Sequence, residues 1–167
     1  MPRLLINIDV PDLDQAVTFY TSALGLSIGR RLGDGFVELL GAEVPIYLLE
    51  KPAGTTIGPA GGDVRRYERH WSPVHLDIVV DDMAEGIARV MQAGAVQEGQ
   101  TCDAPYGLLA MFADPFGHGF CLIEFNEAGY DAIATRRTSS SDKARGRSPV
   151  RLADACRSSG RPPSIDS

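Results

Sequence analysis

Ile6-Asn7-Ile8-Asp9-Val10-Pro11-Asp12-Leu13 near the start of the chain is echoed by Leu76-Asp77-Ile78-Val79-Val80-Asp81-Asp82-Met83, an offset of 70 residues (76 − 6). In each copy an apolar strand pattern runs into an acidic residue and then into the first apolar position of a helix. Further along, Ile46-Tyr47-Leu48-Leu49-Glu50 is echoed by Phe120-Cys121-Leu122-Ile123-Glu124, an offset of 74 (120 − 46). Two copies, each holding several elements, are too few and too long for a solenoid repeat. They describe a duplicated module whose halves build one shared site, so each candidate residue can be compared with its counterpart.

The first module, residues 3–50, reads as a strand Leu4–Val10 followed by Pro11-Asp12. Asp12 is a helix N-cap, and Leu13, Ala16, Val17, Tyr20, Ala23 and Leu24 follow at helical spacing until Gly25 supplies the stop. Strands are expected at 27–32, 35–40 and 44–50, separated by glycine-containing turns. The second module, 74–126, repeats this order. It has a strand at 74–80, and Asp81-Asp82 caps a helix carrying Met83, Ile87, Val90 and Met91 that ends at Gly94. Strands follow at 95–98, 108–113 and 119–125, the last two joined by Asp114-Pro115-Phe116-Gly117. Between the modules, 51–73 is Gly/Pro-rich and carries Arg65, Arg66, Tyr67, Arg69, His70 and Trp71. It reads as a solvated linker between modules, with a flap over a site as the alternative. Residues 127–167 lose all periodicity in Arg/Ser/Pro-rich sequence and are expected to form a disordered tail.

At 167 residues, with 44% apolar and 23% charged residues, the chain suits one compact domain of two small modules. Residues 1–126 hold 8 Lys/Arg against 17 Asp/Glu, whereas 127–167 hold 8 against 5. An acidic body lacks the phosphate-neutralising surface that nucleic-acid binding needs. No apolar run approaches a membrane span, and no basic-then-apolar leader opens the chain, so a cytoplasmic protein is expected. Cys102, Cys121 and Cys156 lack the CxxC spacing of a thiolate zinc site.

Two β-α-β-β-β modules, the Val10-Pro11-Asp12-Leu13 helix start, Leu24-Gly25-Leu26, and the Asp114-Pro115-Phe116-Gly117-His118-Gly119 turn into an apolar strand resemble the vicinal oxygen chelate superfamily. That group includes glyoxalase I, bleomycin- and fosfomycin-resistance proteins and extradiol dioxygenases. The resemblance covers roughly residues 3–126. It implies an α+β fold in which eight strands form a cup-shaped mixed sheet with helices on the convex face. It permits a homodimer, and it leaves the chemistry open, because this scaffold hosts isomerases, lyases, oxygenases, thiol transferases and pure binders.

Strand alternation then divides the residues by face. Leu4, Ile6, Ile8 and Val10 pack on helices, leaving Leu5, Asn7 and Asp9 to the cup. Ile46 and Leu48 pack, leaving Tyr47 and Leu49. Leu76, Ile78 and Val80 pack, leaving His75, Asp77 and Val79. Phe120 and Leu122 pack, leaving Cys121, Ile123 and Phe125. The resemblance implies metal ligands at the positions of Leu5, Tyr47, His75 and Cys121, where family members carry His, Glu or Gln; only His75 fits. The leading expectation is therefore a metal-free protein that binds a small, partly apolar molecule. Its pocket holds Leu5, Asn7, Asp9, Tyr47, Leu49, His75, Asp77, Cys121, Ile123 and Phe125, with His75 as a candidate general base beside Asp77. A Cys121/His75 nucleophile pair is weighed against a cysteine behaving as a small hydrophobe, and the latter is preferred. His118, between two glycines, reads as structural. The alternative is a glyoxalase- or dioxygenase-like enzyme in which a bulge in each strand brings Glu50 and Glu124 beside His75 around one divalent zinc, nickel, iron or manganese ion.

Overall fold

The computed structural model describes residues 2–58, 62–70 and 72–134. Trp71 and most of the expected disordered tail lie outside the described residues. The first module runs β1 (Ile6–Val10), α1 (Leu13–Leu24), β2 (Ser27–Arg31), β3 (Phe36–Leu40) and β4 (Ile46–Glu50). The second runs β5 (Leu76–Val79), α2 (Met83–Gln92), β6 (Val96–Gln97), β7 (Cys102–Ala104), β8 (Gly107–Ala113) and β9 (Gly119–Phe125). Both helices start by one device. Asp12 accepts the Gln15 N–H at 2.9 Å and Asp82 accepts the Glu85 N–H at 2.8 Å, each satisfying a donor the first helical turn leaves free. Gly25 closes α1 in the left-handed region, where a side chain would be strained.

In each module the first strand pairs in parallel with the last, and the others pair antiparallel: β1-β4-β3-β2 in one sheet, β5-β9-β8-β6 in the other, with β7 also on β8. Against the expected eight strands, the described residues hold nine, because Cys102–Ala104 folds back on β8 through Pro105-Tyr106. That segment is too short and too polar to show a period of two. The strands divide into sheets of four and five, and the margins β1 and β5 exchange no strand pairing among the described residues. The modules meet instead through side chains on their helix sides. Phe19 of α1 lies edge-on to Phe116 and Phe120 at 6.3 and 6.4 Å between ring centres, within one core that includes Leu48 and Leu122 at 0% exposure. On α2 the buried line is Met83, Gly86 and Val90, whereas Met91 is exposed.

Two further segments differ from expectation. Residues 127–134, expected to be tail, continue the fold: a 3-10 turn at Gly129–Ala132 sets Tyr130 against Phe125 and Tyr106. The 51–73 connection folds back as a strap. Thr56 bridges Val64, Tyr67 donates its hydroxyl to the Lys51 carbonyl at 2.6 Å, and Arg65 and Arg69 reach opposite modules. The strap lies so close to the 114–118 turn that a Cβ on Gly117 would come 2.5 Å from the Glu68 carbonyl oxygen, at φ +85. Gly33 also has positive φ, +70, but faces open space. Gly117→Ala is therefore expected to cost about 3 kcal/mol, strain plus a backbone clash, against about 1 kcal/mol for Gly33→Ala. Urea unfolding of the two variants measures the difference, and equal losses would refute the close contact.

Candidate functional site

The face away from the helices, here called the open face, carries one polar cluster per module. In the first module, strand register sets Tyr47 opposite both Asn7 and Glu38, and Glu38 opposite Arg30. Glu38 is only 6% exposed. Its carboxylate accepts the Tyr47 hydroxyl at 2.7 Å and a two-point contact from Arg30 at 2.5 and 2.7 Å. Those hydrogen bonds, Arg30 first and Tyr47 second, hold its pKa down to about 2. The bond to Glu38 in turn raises the Tyr47 phenol. Tyr47 is thus engaged within the protein. Glu38 and Arg30 were missed by sequence reasoning, although the signal exists: Val37 and Leu39 are both buried, so alternation places Glu38 beside Tyr47.

In the second module the register sets Cys121 between Asp77 and Met111. Asp77 is the hub. Its carboxylate lies 3.1 Å from His75 Nε2 and also bonds the Cys121 thiol. Burial, then the Asp77 charge, push that thiol up to about 12, so it stays protonated and is a poor nucleophile. Together with Arg69, Glu98 and Met111, His75 and Cys121 line a cavity of about 190 Å3 to which the first module contributes no wall.

The remaining expected site residues are scattered. Asp9 is held by Arg65 Nε at 2.7 Å, and Leu49 lies half-buried opposite Asp9 and Phe36. Leu5 precedes β1 and is exposed. Ile123 is buried at 2% under Tyr106 and Ile133, with Phe125 packed beside it. Glu124 accepts the Met83 N–H at 2.5 Å and so caps α2. Glu50, exposed, lines a shallow pocket with Asp12 and Leu13 at the start of α1. The symmetric bulges are absent from β4 and β9, whose registers run unbroken, and neither glutamate joins His75. His118 has a defined partner: its Nδ1 is 3.0 Å from Asp114, whose carboxylate also accepts the Tyr20 hydroxyl at 2.6 Å.

The sequence pattern of the glyoxalase-like domain family matches residues 5–123. The chain belongs to that family. Among solved structures, this glyoxalase-like chain is similar to hypothetical protein SA1046 from S. aureus at 22% identity. That match has a TM-score of 0.56 and covers 74% of this chain and 97% of that one. It is also similar to TnmS3, an antibiotic binding protein from Streptomyces sp. CB03234, at 21% identity and TM-score 0.53, covering 75% and 97%. The fosfomycin resistance protein FosX from Listeria monocytogenes follows at 17% identity and TM-score 0.58, covering 76% and 95%; another FosX structure contains Mn(II). At these identities the likeness is one of fold. No curated protein sequence matches the chain.

The family's metal can be tested against the donors of this glyoxalase-like chain. The described residues group His75, Asp77 and Cys121 with ligand atoms within 4.8 Å of one another. Nitrogen, oxygen and sulfur donors with a position left open suit a borderline ion such as zinc, which lowers thiol pKa and polarises a bound oxygen. Bond lengths of about 2.0–2.3 Å set such donors roughly 3.5 Å apart, so the trio fits after a small contraction.

Glu38 also gives a stability prediction. Its folded pKa lies below the ordinary 4.5, so its stabilisation is complete above pH 4.5 and is lost as pH falls toward 2. Glu38→Gln is expected to be less stable than the parent at pH 7 and to flatten the decline over that window. Urea midpoints read at several pH values decide it; parallel profiles would refute the Glu38 assignment.

Proposed function

We propose that this glyoxalase-like protein binds a small, partly apolar molecule on its open face, and that a second copy of the chain supplies the missing wall. The observation carrying this reading is the cavity around Cys121. It mixes Met111 and Cys121 with His75 and the Arg69–Glu98 pair, yet its 190 Å3 falls short of the roughly 300–1,000 Å3 of ordinary ligand pockets, and the first module adds nothing to its wall. Val79 at 60% and Met111 at 41% exposure stand on that face as an apolar surface suited to cover. An antibiotic binding protein among the structural relatives supports binding without chemistry. In this reading Met111 and Val79 supply apolar contact. Asp77 and His75 orient the ligand, and the Arg30–Glu38–Tyr47 cluster stays a rigid polar wall.

A second reading, a metal-assisted lyase, isomerase or oxygenase, rests on the His75–Asp77–Cys121 trio rather than on Glu50 and Glu124. A zinc, nickel, iron or manganese ion held there would polarise a substrate oxygen, while His75 and Asp77 would fix its position.

Sedimentation and thermal-shift measurements test the binding reading. The parent is expected to sediment as a dimer, and Met111→Arg as a monomer. A ligand at a hundred times its Kd adds about 2.7 kcal/mol, a rise in Tm of roughly 5–10 °C, and a panel of partly apolar antibiotics should contain such compounds. Met111→Arg should abolish the rise; shifts that survive it would sink the open-face assignment. Elemental analysis separates the second reading. Stoichiometric metal that disappears in His75→Ala supports it, and metal-free protein indifferent to chelator opposes it.

A further inference from the structure

A larger cavity lies elsewhere. About 370 Å3 of space lies at the seam between the unpaired margins of β1 and β5, walled by helix-side residues including Phe19, Leu24, Ile6, Ile78 and Phe120. This volume falls within the range of ordinary small-molecule pockets. Its polar lining includes Asn7, His75 and His118.

His118 is built into that wall from behind. Asp114, with its side chain 1% exposed, accepts four hydrogen bonds: the Tyr20 hydroxyl at 2.6 Å, the Phe116 and His118 N–H groups at 2.9 and 2.8 Å, and His118 Nδ1 at 3.0 Å. Burial opposes ionisation of Asp114, but the hydrogen bonds from His118 and Tyr20 outweigh it and hold the carboxyl below its usual value. An ionised carboxylate only accepts, so Nδ1 carries the hydrogen, and in the neutral ring Nε2 is left with a lone pair. Nε2 has no partner among the described residues, and it is not a sealed atom lacking one. The ring cannot easily turn away. Tyr67 and His70 of the strap meet it edge-on at 6.2 Å, and Gly117 and Gly119 let the strap lie directly against its turn.

We propose that the seam is a second ligand site, adjoining the open-face cavity through His75, which takes a compact aromatic or alicyclic compound bearing one hydroxyl, with His118 Nε2 accepting that hydrogen. An apolar slot with one fixed acceptor selects such a compound over its ether, which fills the same space and leaves the acceptor without a donor.

The probe is 1-naphthol, with 1-methoxynaphthalene as the partner lacking a donor, titrated calorimetrically into the full-length chain. Saturable binding of 1-naphthol is expected, with the ether about tenfold weaker or worse. His118→Phe should lose the preference. Because that change also removes a partner of Asp114, Val74→Trp gives an independent check. Val74 lines the seam and is 77% exposed, so a larger side chain there narrows the entrance without touching the buried network. It should weaken 1-naphthol about tenfold. NMR separates this site from the open face: 1-naphthol should move the His118 ring Cε1–H resonance and leave the Met111 methyl in place. No binding up to the solubility limit, equal affinity for the ether, full affinity in Val74→Trp, or a shift of Met111 instead of His118 would each overturn the proposal.

Discussion

One buried carboxylate holds the two halves in register. Asp114 lies in the turn of the second module and Tyr20 on the helix of the first, and their 2.6 Å hydrogen bond joins elements 94 residues apart. A buried charge without partners costs several kcal/mol, so all four donors around Asp114 have to be in place for the modules to sit as they do. Because the halves meet on the helix side, their inner strands are left apart. The seam, the fixed pose of His118 and the uncovered open faces all follow from that choice of contact.

Much of this was legible in the sequence. The two strand-to-helix repeats located both first strands, both N-caps at Asp12 and Asp82, and the helix-facing residues from Leu13 to Ala23. Such features are local, written by alternation, helical spacing and capping chemistry. What was not legible depends on distant partners. Nothing near Asp114 in the chain announces Tyr20, and nothing near Asp9 or Glu98 announces the arginines of the strap. Glu124 shows the limit well: its strand-end position suggested a metal ligand, whereas the free N–H of Met83 claims it. β7 was hidden because three residues with one charge carry no period.

The duplicated frame also shows how far side chains can drift while the backbone stays. Register makes Asn7, Tyr47 and Glu38 the counterparts of Asp77, Cys121 and Met111. One set has become a closed ionic cluster with Arg30, the other a hydrogen-bonded chain ending in a neutral thiol beside an exposed thioether. Fold kinship therefore says little about chemistry here, since these three positions have been rewritten independently in the two halves.

The strap has a mechanical meaning. Arg65 grips Asp9 in one half, and Arg69 grips Glu98 in the other with a two-point contact at 2.6 and 2.8 Å. Four residue steps of fully extended chain reach only about 14 Å. A segment that reads in sequence as a solvated linker is thus a short strut, too taut to let the halves drift apart while both of its ionic anchors hold.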